Sequence, residues 1–331
     1  MLACALSLCV ASCGGGSSSS SSGGPPPHAS QDQLATYAAH AFLSTYANSD
    51  GRVQRTDQGG DTVSEGQAYG MLAAVAVGDR HRFDQIWSWT QHNLQLRNGL
   101  FAFHWAGGHV VDPQPASDAD LDTARALLVA SCRFHEPDLR QAAVRVGKAI
   151  LAHETAKAGS LQVLMAGPWA NKGGYLVFDP SYVDPTTLQD LAKVTGDSRF
   201  SAVDAGSTQL VNDLTRPLPP DWAIVNTHTG QPTPVSGASS TSGPGMFTFD
   251  APRTLVRFAL DPNPAGRAAA ARAWSVFSKT APQDIVTQHQ LSGAAAGSTH
   301  SPVTLVAVAG AAKAAGDTSA VPGLLNEAQR L

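Results

Sequence analysis

The sequence predicts an all-α fold in which paired helices surround a central ring, as in a helical barrel or toroid. Helical windows recur along most of the chain, whereas strand-like alternation is rare. The connections between the windows alternate between short and long, as expected for helix pairs. Several helices, 65–78 among them, have no polar face, and a helix of this kind must be enclosed by its neighbours. These helices would form the inner ring.

The helical windows set the order of the elements. They cover residues 33–48, 65–79, 81–94, 118–134, 137–153, 186–195, 198–213, 251–260, 264–279 and 299–314. Some of the segments between them are rich in Gly and Pro and long for ordinary connections, which makes them candidate functional loops. These segments are 95–117, 159–184, 214–249 and 280–298. If inner and outer helices alternate, all inner helices run in one direction, so their N-termini meet at one end of the barrel.

Length and composition allow one large core and exclude several kinds of partner. The chain has 331 residues, of which 43% are hydrophobic and 15% charged. A formal net charge of -4 without any run of Lys or Arg argues against binding to nucleic acid or to an anionic membrane surface. The eleven His residues show no paired ligand spacing with carboxylates or Cys, so neither a metal nor another cofactor is expected. We expect a monomer with a neutral partner.

The N-terminal residues are predicted to be an export signal and a tether. Residues 1–13 contain an apolar run of about ten residues, too short to span a membrane but suited to a secretory signal. The motif "VASC", which ends at Cys13, resembles a bacterial lipoprotein signal, and cleavage before Cys13 would leave a lipidated thiol. Because no Lys or Arg precedes the apolar run, plain secretion stays open. Residues 14–29 predict a Gly/Ser/Pro-rich linker, and 30–331 the functional domain of a periplasmic, outer-membrane or secreted protein.

The helix that starts near residue 64 begins on a carboxylate. In "TVSEGQAYGMLAAVAVGD", Glu65 precedes almost nothing but small and apolar residues. One interpretation is capping, in which Ser64 accepts a hydrogen bond from a first-turn amide and Gln67 reaches back. A functional interpretation requires further carboxylates that point at the same place.

The helix that starts near residue 117 repeats this pattern. In "PQPASDADLDTARALLVA", Ser117 is the expected cap, and Asp118 and Asp120 lie in the first turn. Asp122 and Arg125 are expected one turn deeper. A well-capped helix without any function explains this segment equally well.

A third apolar helix begins in "GMFTFDAPRTLVRFALD". Asp250 is the expected cap, Pro252 lies in the first turn where its missing amide is harmless, and Arg253 is close by. If the three helix starts meet at one end of the barrel, three carboxylates from distant parts of the sequence would share one site.

Five segments occur in the order seen in glycoside hydrolase family 8, and the chain resembles that family over about residues 31–315. They are "SEGQAYGMLAAVAVGDRHRFDQIWSWTQHNL", "ASDADLDTARALLVA", "FDPSYVDP", "PPDWA" and "FDAPRTLVRFALD". This family of inverting endoglucanases includes the periplasmic cellulases of bacterial cellulose-synthesis systems. The resemblance implies an (α/α)6 barrel with an open cleft where the inner helices start. It also implies that Glu65 is the general acid, that Asp250 is the general base, and that Asp118 holds the sugar at the cleavage point.

These roles require a particular separation and particular protonation states of the two catalytic carboxyl groups. Inverting hydrolysis requires an acid and a base with their carboxyl groups about 6.5–9.5 Å apart. A helix N-terminus lowers the pKa of a carboxyl group, which is wrong for a general acid, so the charge of Asp118 and burial under bound sugar should raise the pKa of Glu65. Asp250 should stay ionised beside its helix end and Arg253. A purely structural role for Arg253 is an equal alternative to sugar binding.

Aromatic side chains supply the remaining candidates, because apolar sugar faces stack on rings. The substrate-binding set contains Phe103, Trp105, Tyr182 and Phe249 together with Arg253, and Trp169 and Trp222 are further candidates. Two positions depart from the resemblance: Phe103 stands where the family usually has Trp, and Phe249 where a Tyr usually precedes the base.

Two functional classes therefore remain open. The first is an inverting endo-β-1,4-glucanase that cleaves cellulose or a related polysaccharide, with xylan, mixed-linkage glucan and chitosan as alternative substrates of the same fold. The second is a non-catalytic or weakly active glucan-binding lipoprotein, which the two Phe replacements suggest. The retained acids and Arg253 favour the enzyme.

Overall fold

The computed structural model describes residues 30–331. The predicted signal, residues 1–13 with Cys13, and the whole of the predicted linker, residues 14–29, therefore lie outside the described residues. The helices of the described part are α1 Gln31–Tyr46, α2 Ser64–Val77, α3 Arg80–Asn93, α4 Ser117–Arg133, α5 Pro137–His153, α6 Pro185–Thr195, α7 Ser198–Leu214, α8 Ala251–Ala259, α9 Pro264–Phe277, α10 Pro302–Ala314 and α11 Val321–Arg330. None of these helices is both long and apolar enough to cross a membrane.

The first ten helices match the predicted windows to within about three residues. Helix α11 was not predicted, because its ten residues bury only Leu324 and give too short a periodic pattern. Pro322 fits its first turn, where a missing amide costs no intrahelical hydrogen bond. Helix α2 ends where expected from its sequence, at Gly78, which adopts the left-handed conformation with φ 75°.

The helices form two layers around a central core. Helices α2, α4, α6, α8 and α10 contact one another in sequence order, and each also packs against the helix that follows it in the chain, α3, α5, α7, α9 and α11. Helices α2 and α10 are apolar all round, as predicted for inner helices, and Met71 and Leu305 are among their fully enclosed side chains. Because the inner helices alternate with outer ones, their N-termini lie at the same end.

Short strands occur in the long connections, where the sequence shows little alternation. They are β1 Thr62–Val63, β2 His104–Ala106, β3 His109–Asp112, β4 Thr155–Ala158, β5 Leu161–Leu164, β6 Tyr175–Phe178, β7 Trp222–Asn226, β8 Pro232–Val235, β9 Met246–Phe247 and β10 His289–Gln290. They form four small antiparallel sheets in the orders β1-β2-β3, β4-β5, β6-β7-β8 and β10-β9. Strands of two to five residues are too short for a period of two to be recognised. These sheets brace the loops that surround the helix starts.

Candidate active site

The starts of α2, α8 and α10, together with α1, surround a hollow of about 540 Å³, called the cleft hollow below. Glu65 lines it from the first turn of α2. Arg253 lines it from the first turn of α8, and Phe249 and Asp250, the two residues directly before α8, line it as well. The other lining residues are Phe42, Tyr46, Val53, Gln54, Arg55, Asp57, Val63, Gly66, Tyr69, Thr248, Pro252, Thr287, Ser301, Val303 and Thr304. Two of the three predicted carboxylates thus face the same space.

The start of α2 is held by remote segments rather than by a local cap. The Ser64 amide donates to the Phe103 carbonyl at 2.9 Å, so the residue before Glu65 is tied to the residue that precedes β2. The buried side chain of Gln67 accepts from the Val53 amide at 2.5 Å and donates to Thr90 Oγ1 at 2.8 Å. The predicted capping role of Ser64 and Gln67 is therefore wrong, because no side chain caps α2.

The Glu65 carboxyl group lies in surroundings that favour its protonated form. Burial, and to a smaller extent the nearby charge of Asp118, raise the pKa of Glu65 to about 8. Arg253 and the Ser64 hydroxyl, which donates to Glu65 Oε2 at 3.3 Å, oppose this shift. The predicted direction is confirmed, but protein burial is the larger cause and requires no bound sugar. At neutral pH this group can donate a proton.

Asp118 is fully buried and forms an ion pair with Arg253. Its Oδ2 atom lies 2.8 Å from Arg253 Nη1, and its side chain is 0% exposed. Its Oδ1 atom accepts from the Ala119 amide at 2.9 Å. The Ser117 hydroxyl donates to the Met165 carbonyl at 2.6 Å instead of capping α4, which corrects the predicted cap. The bond attaches the start of α4 to the segment after β5.

Asp250 lies on the other side of Arg253, at 2.9 Å from Nη2. It does not cap α8 as predicted; Asp221 accepts from the Ala251 amide at 2.8 Å and from the Thr248 amide at 3.0 Å. Burial raises the pKa of Asp250 above its usual value, and Arg253 and a hydrogen bond from Trp222 lower it. The expected effect of Arg253, which favours the ionised form, is present, but burial acts against it and sets the direction of the shift. A raised pKa makes this carboxylate a better proton acceptor.

Arg253 joins the site on three sides. Besides the two carboxylates, its Nη1 atom donates to the Tyr69 hydroxyl at 3.3 Å, and its guanidinium carbon lies 5.6 Å from the centre of the Tyr182 ring. Arg253 lines the cleft hollow and holds two carboxylates, so the predicted structural pairing is present. Sugar binding by Arg253 stays a prediction.

The predicted aromatic residues divide into buried and exposed groups. The Tyr182 ring is 9% exposed and packs edge-on against Trp222 at 5.8 Å. Trp105 lies under the Arg52 guanidinium at 4.3 Å and packs edge-on against Trp89, so its ring is partly used by the protein itself. Phe249 is 64% exposed and lines the cleft hollow beside Asp250.

Phe103 and Trp169 lie between these extremes. Phe103 is half-buried and touches the start of α2 through its carbonyl, next to Glu65. The Trp169 indole donates to the Pro115 carbonyl at 3.0 Å, which supports the residues just before α4. Phe103 is thus tied to the start of α2 but does not line the cleft hollow, so its role as a sugar platform stays a prediction. Trp169 is accounted for by its support of the chain.

Three residues of the site were not singled out from the sequence. Tyr69 stands one helical turn after Glu65, and that spacing alone could have indicated it. Asp221 belongs to the "PPDWA" segment but lies 30 positions from the amide at the start of α8 that it caps. Asp179 is 1% exposed, and its Oδ2 atom has no hydrogen-bond partner within the described residues. Burial and the charge of Asp250 raise its pKa. The bond between Asp221 and the start of α8, and the approach of Asp179 to Asp250, join residues far apart in the sequence and leave no local pattern.

The chain is similar to known endoglucanases over most of its length. The family model of glycosyl hydrolases family 8 matches residues 28–326. A probable endoglucanase of Novacetimonas hansenii is 37% identical over 227 residues, which cover 66% of this chain and 64% of that protein. An endoglucanase of Escherichia coli (strain K12) is 31% identical over 193 residues, 55% of this chain and 52% of that protein. The matched region thus spans less than two thirds of either curated relative.

A solved structure shares the fold. An endo-β-1,4-glucanase from Acetobacter xylinum superposes with a TM-score of 0.76 at 30% sequence identity, covering 89% of this chain and 95% of that chain. The predicted (α/α)6 barrel is confirmed. Within residues 30–331, no group of three or more His, Cys, Asp or Glu side chains is arranged to hold a metal ion.

Proposed function

The chain belongs to glycosyl hydrolases family 8, and from this premise we propose that it is an inverting endo-β-1,4-glucanase. The observation that carries the proposal is that Glu65 and Asp250 line the same cleft hollow in different electrostatic surroundings. Glu65 has no ion-pair partner among residues 30–331, whereas Asp250 is paired with Arg253. One carboxyl group is therefore protonated and the other ionised at neutral pH, as inverting hydrolysis requires.

In the proposed reaction, the two groups act on opposite faces of one sugar. Glu65 protonates the oxygen of the leaving sugar, and Asp250 removes a proton from the water that attacks the anomeric carbon. Arg253 stabilises the charge on Asp250 until the water is deprotonated. Asp118 is 0% exposed and does not line the cleft hollow, so in this proposal it acts through Arg253, which it holds at 2.8 Å, rather than by binding the sugar directly.

The proposed substrate is a neutral β-1,4-linked glucan. The ring of Phe249, which is exposed and lines the cleft hollow beside Asp250, offers apolar contact for a sugar face. The two curated relatives and the solved structure described above are named as endoglucanases, which supports a glucan over xylan or chitosan. We include mixed-linkage glucan, xylan and chitosan as competing substrates in the test.

Hydrolysis of carboxymethyl cellulose, measured as reducing ends, tests the activity. Proton NMR of the first products tests the mechanism, because attack by water must give the α-anomer from a β-linked substrate. An initial β-product would indicate a covalent intermediate and a wrong role for Asp250. Glucan binding without turnover by the wild-type protein would favour the non-catalytic alternative.

We also propose that the protein is exported and anchored through Cys13, and that it acts as a monomer without nucleic acid. The support is the "VASC" motif and the Gly/Ser/Pro-rich residues that follow it. Cys13→Ser should move the protein from the membrane fraction to the soluble fraction. An unchanged membrane-bound pool would contradict the anchor. Sedimentation equilibrium tests the monomer.

A further inference from the structure

Two carboxyl groups that the proposed reaction does not use are buried behind Asp118. Asp120, in the first turn of α4, and Glu154, which directly follows α5, are both 0% exposed. Their carboxyl groups interact with each other, and neither forms an ion pair with Lys or Arg within residues 30–331. Among the described residues, no other group donates a hydrogen bond to Asp120 Oδ2 or to either oxygen of Glu154. We call these two residues the acid pair.

The acid pair must hold a proton. Two carboxylates in contact, without a cation and out of water, cannot both be ionised. Burial raises the pKa of both groups well above their usual values, as this argument requires. One proton shared between them leaves a single negative charge beneath the site.

The local structure assigns the charge to Asp120 and the proton to Glu154. Asp120 Oδ1 accepts from the Phe101 amide at 3.0 Å and lies at the positive end of α4, and both features favour an ionised carboxyl group. Glu154 lies at the negative end of α5, and its side-chain oxygens receive no donor from the backbone. A protonated Glu154 can instead donate to Asp120.

The charge of Asp120 acts on the catalytic carboxyl groups. Asp118 and Glu65 both interact electrostatically with Asp120, and each raises its pKa; by reciprocity the charge on Asp120 favours the protonated form of Glu65. The bond to Phe101 also holds the segment that leads to Phe103, whose carbonyl accepts from the amide of Ser64, next to Glu65. Asp120 can thus affect Glu65 in two ways: by the electrostatic interaction of the two carboxyl groups, and by its hydrogen bond to the segment that supports the start of α2.

We propose that Asp120 is a positioning residue for the general acid: its charge, retained because Glu154 carries the proton, adds to the burial and the Asp118 charge that favour protonated Glu65, and its bond to the Phe101 amide holds the segment that supports the start of α2. The inference rests on the proposed function, since it assigns Asp120 a part in that reaction without contact with substrate. The other charged or titratable groups around Glu65 and the acid pair are Asp118 on α4, Arg253 on α8, Tyr182 before α6 and Arg55 between α1 and α2.

Two matched variants separate the charge from the packing. Asp120→Asn keeps an oxygen for the Phe101 amide but removes the charge, so the alkaline limb of kcat/KM against pH should move to lower pH by on the order of one unit. Glu154→Gln keeps a neutral donor for Asp120, so its alkaline limb should stay where the wild type has it. A residue that only supports the fold would change rates without moving this limb. A wild-type limb in folded Asp120→Asn, or an equal shift in Glu154→Gln, would overturn the proposal.

Infrared difference spectroscopy tests the acid pair without any turnover. The carbonyl stretch of a protonated carboxyl group should be lost in Glu154→Gln and persist at alkaline pH in the wild type. A second such band, assigned by its loss in Glu65→Gln, should titrate at lower pH in Asp120→Asn. If no glucan is hydrolysed at all, the proposed function fails while these bands still decide the protonation of the pair. If Asp120→Asn does not fold, persistence of the full wild-type signal in Glu154→Gln would still overturn the assignment.

Discussion

Helices α4 and α8 are joined by two Asp–Arg pairs, one helical turn apart, which differ in their balance of charge. At the cleft, Asp118 pairs with Arg253; four residues further along each helix, Asp122 pairs with Arg257. The upper cluster consists of Arg253 with Asp118, Asp250 and Glu65 nearby, so carboxyl groups outnumber cations.

The lower cluster is balanced. The two carboxylate oxygens of Asp122 accept hydrogen bonds from Arg257 Nη2 at 2.8 Å and Nη1 at 2.9 Å. Asp184 Oδ2 lies 3.4 Å from the Nη1 atoms of both Arg257 and Arg125. The Arg residues hold the pKa of Asp184 below its usual value even though burial raises it. The two acids and the two Arg residues of the lower cluster have a net charge of zero. This cluster therefore holds α4, α6 and α8 together. At the upper level the excess of acid leaves a proton on Glu65, which is what the proposed reaction uses.

The largest expected effect comes from removing that proton at the upper level. Glu65→Gln keeps the volume of the side chain but cannot protonate the leaving oxygen, so turnover on carboxymethyl cellulose should fall by about 10²- to 10⁴-fold. The circular dichroism spectrum should stay that of the wild type. Turnover close to the wild-type value would remove Glu65 from the mechanism.

Breaking the lower cluster should affect stability instead. Arg257→Met leaves Asp122 and Asp184 buried with one cation fewer, and the free energy of unfolding should fall by about 3–5 kcal/mol. Urea denaturation measures it. The matched variant is Arg253→Met at the more exposed upper level, which should lose less stability and more turnover. Equal losses of stability in the two variants would mean that the levels are not distinct.

These two clusters also show which features the sequence could reveal. The apolar patterns of α2, α4 and α8 and the acids at their starts were predictable from neighbouring residues, and so was their meeting at one end. The local caps were not, because the side chains and amides concerned have partners in distant segments: Gln67 accepts from the Val53 amide, and the Ala251 amide at the start of α8 donates to Asp221. The pairing of Asp122 with Arg257 spans 135 positions and has no local signature. The residues of each helix can therefore be predicted from the local sequence, whereas the partner of each side chain depends on the tertiary fold.

The pH dependence of stability should expose the proton on Glu65. Its pKa is about 8 in the folded protein against the usual 4.5 of a Glu side chain in the unfolded chain, so between these pH values the folded state binds more protons than the unfolded state. The contribution of Glu65 is therefore fully present at low pH and decreases as the pH rises towards 8. Thermal unfolding at pH 5 and pH 8 should show that Glu65→Gln gains stability relative to the wild type at the higher pH. A constant difference between the two proteins would contradict the raised pKa.

The same group should limit activity at alkaline pH. As the pH rises through about 8, Glu65 loses its proton and kcat/KM should decrease. Asp179, Asp250 and Asp120 also have raised pKa values, but only Glu65 must be protonated towards the leaving sugar in the proposed reaction. A rate that stays level to well above pH 8 would indicate another proton donor.

The smallest expected effect concerns Phe249, the exposed ring beside Asp250. If the attacking water lacks a second partner there, Phe249→Tyr should raise turnover by the value of one neutral hydrogen bond, roughly 0.5–1.5 kcal/mol or about two- to tenfold. Phe249→Leu is the control, because it removes the ring without adding a hydroxyl and should not raise turnover. Initial rates on carboxymethyl cellulose decide between them. If the Tyr variant folds but turns over more slowly, the cleft hollow is shaped around a phenyl ring, and the water or the sugar lies elsewhere.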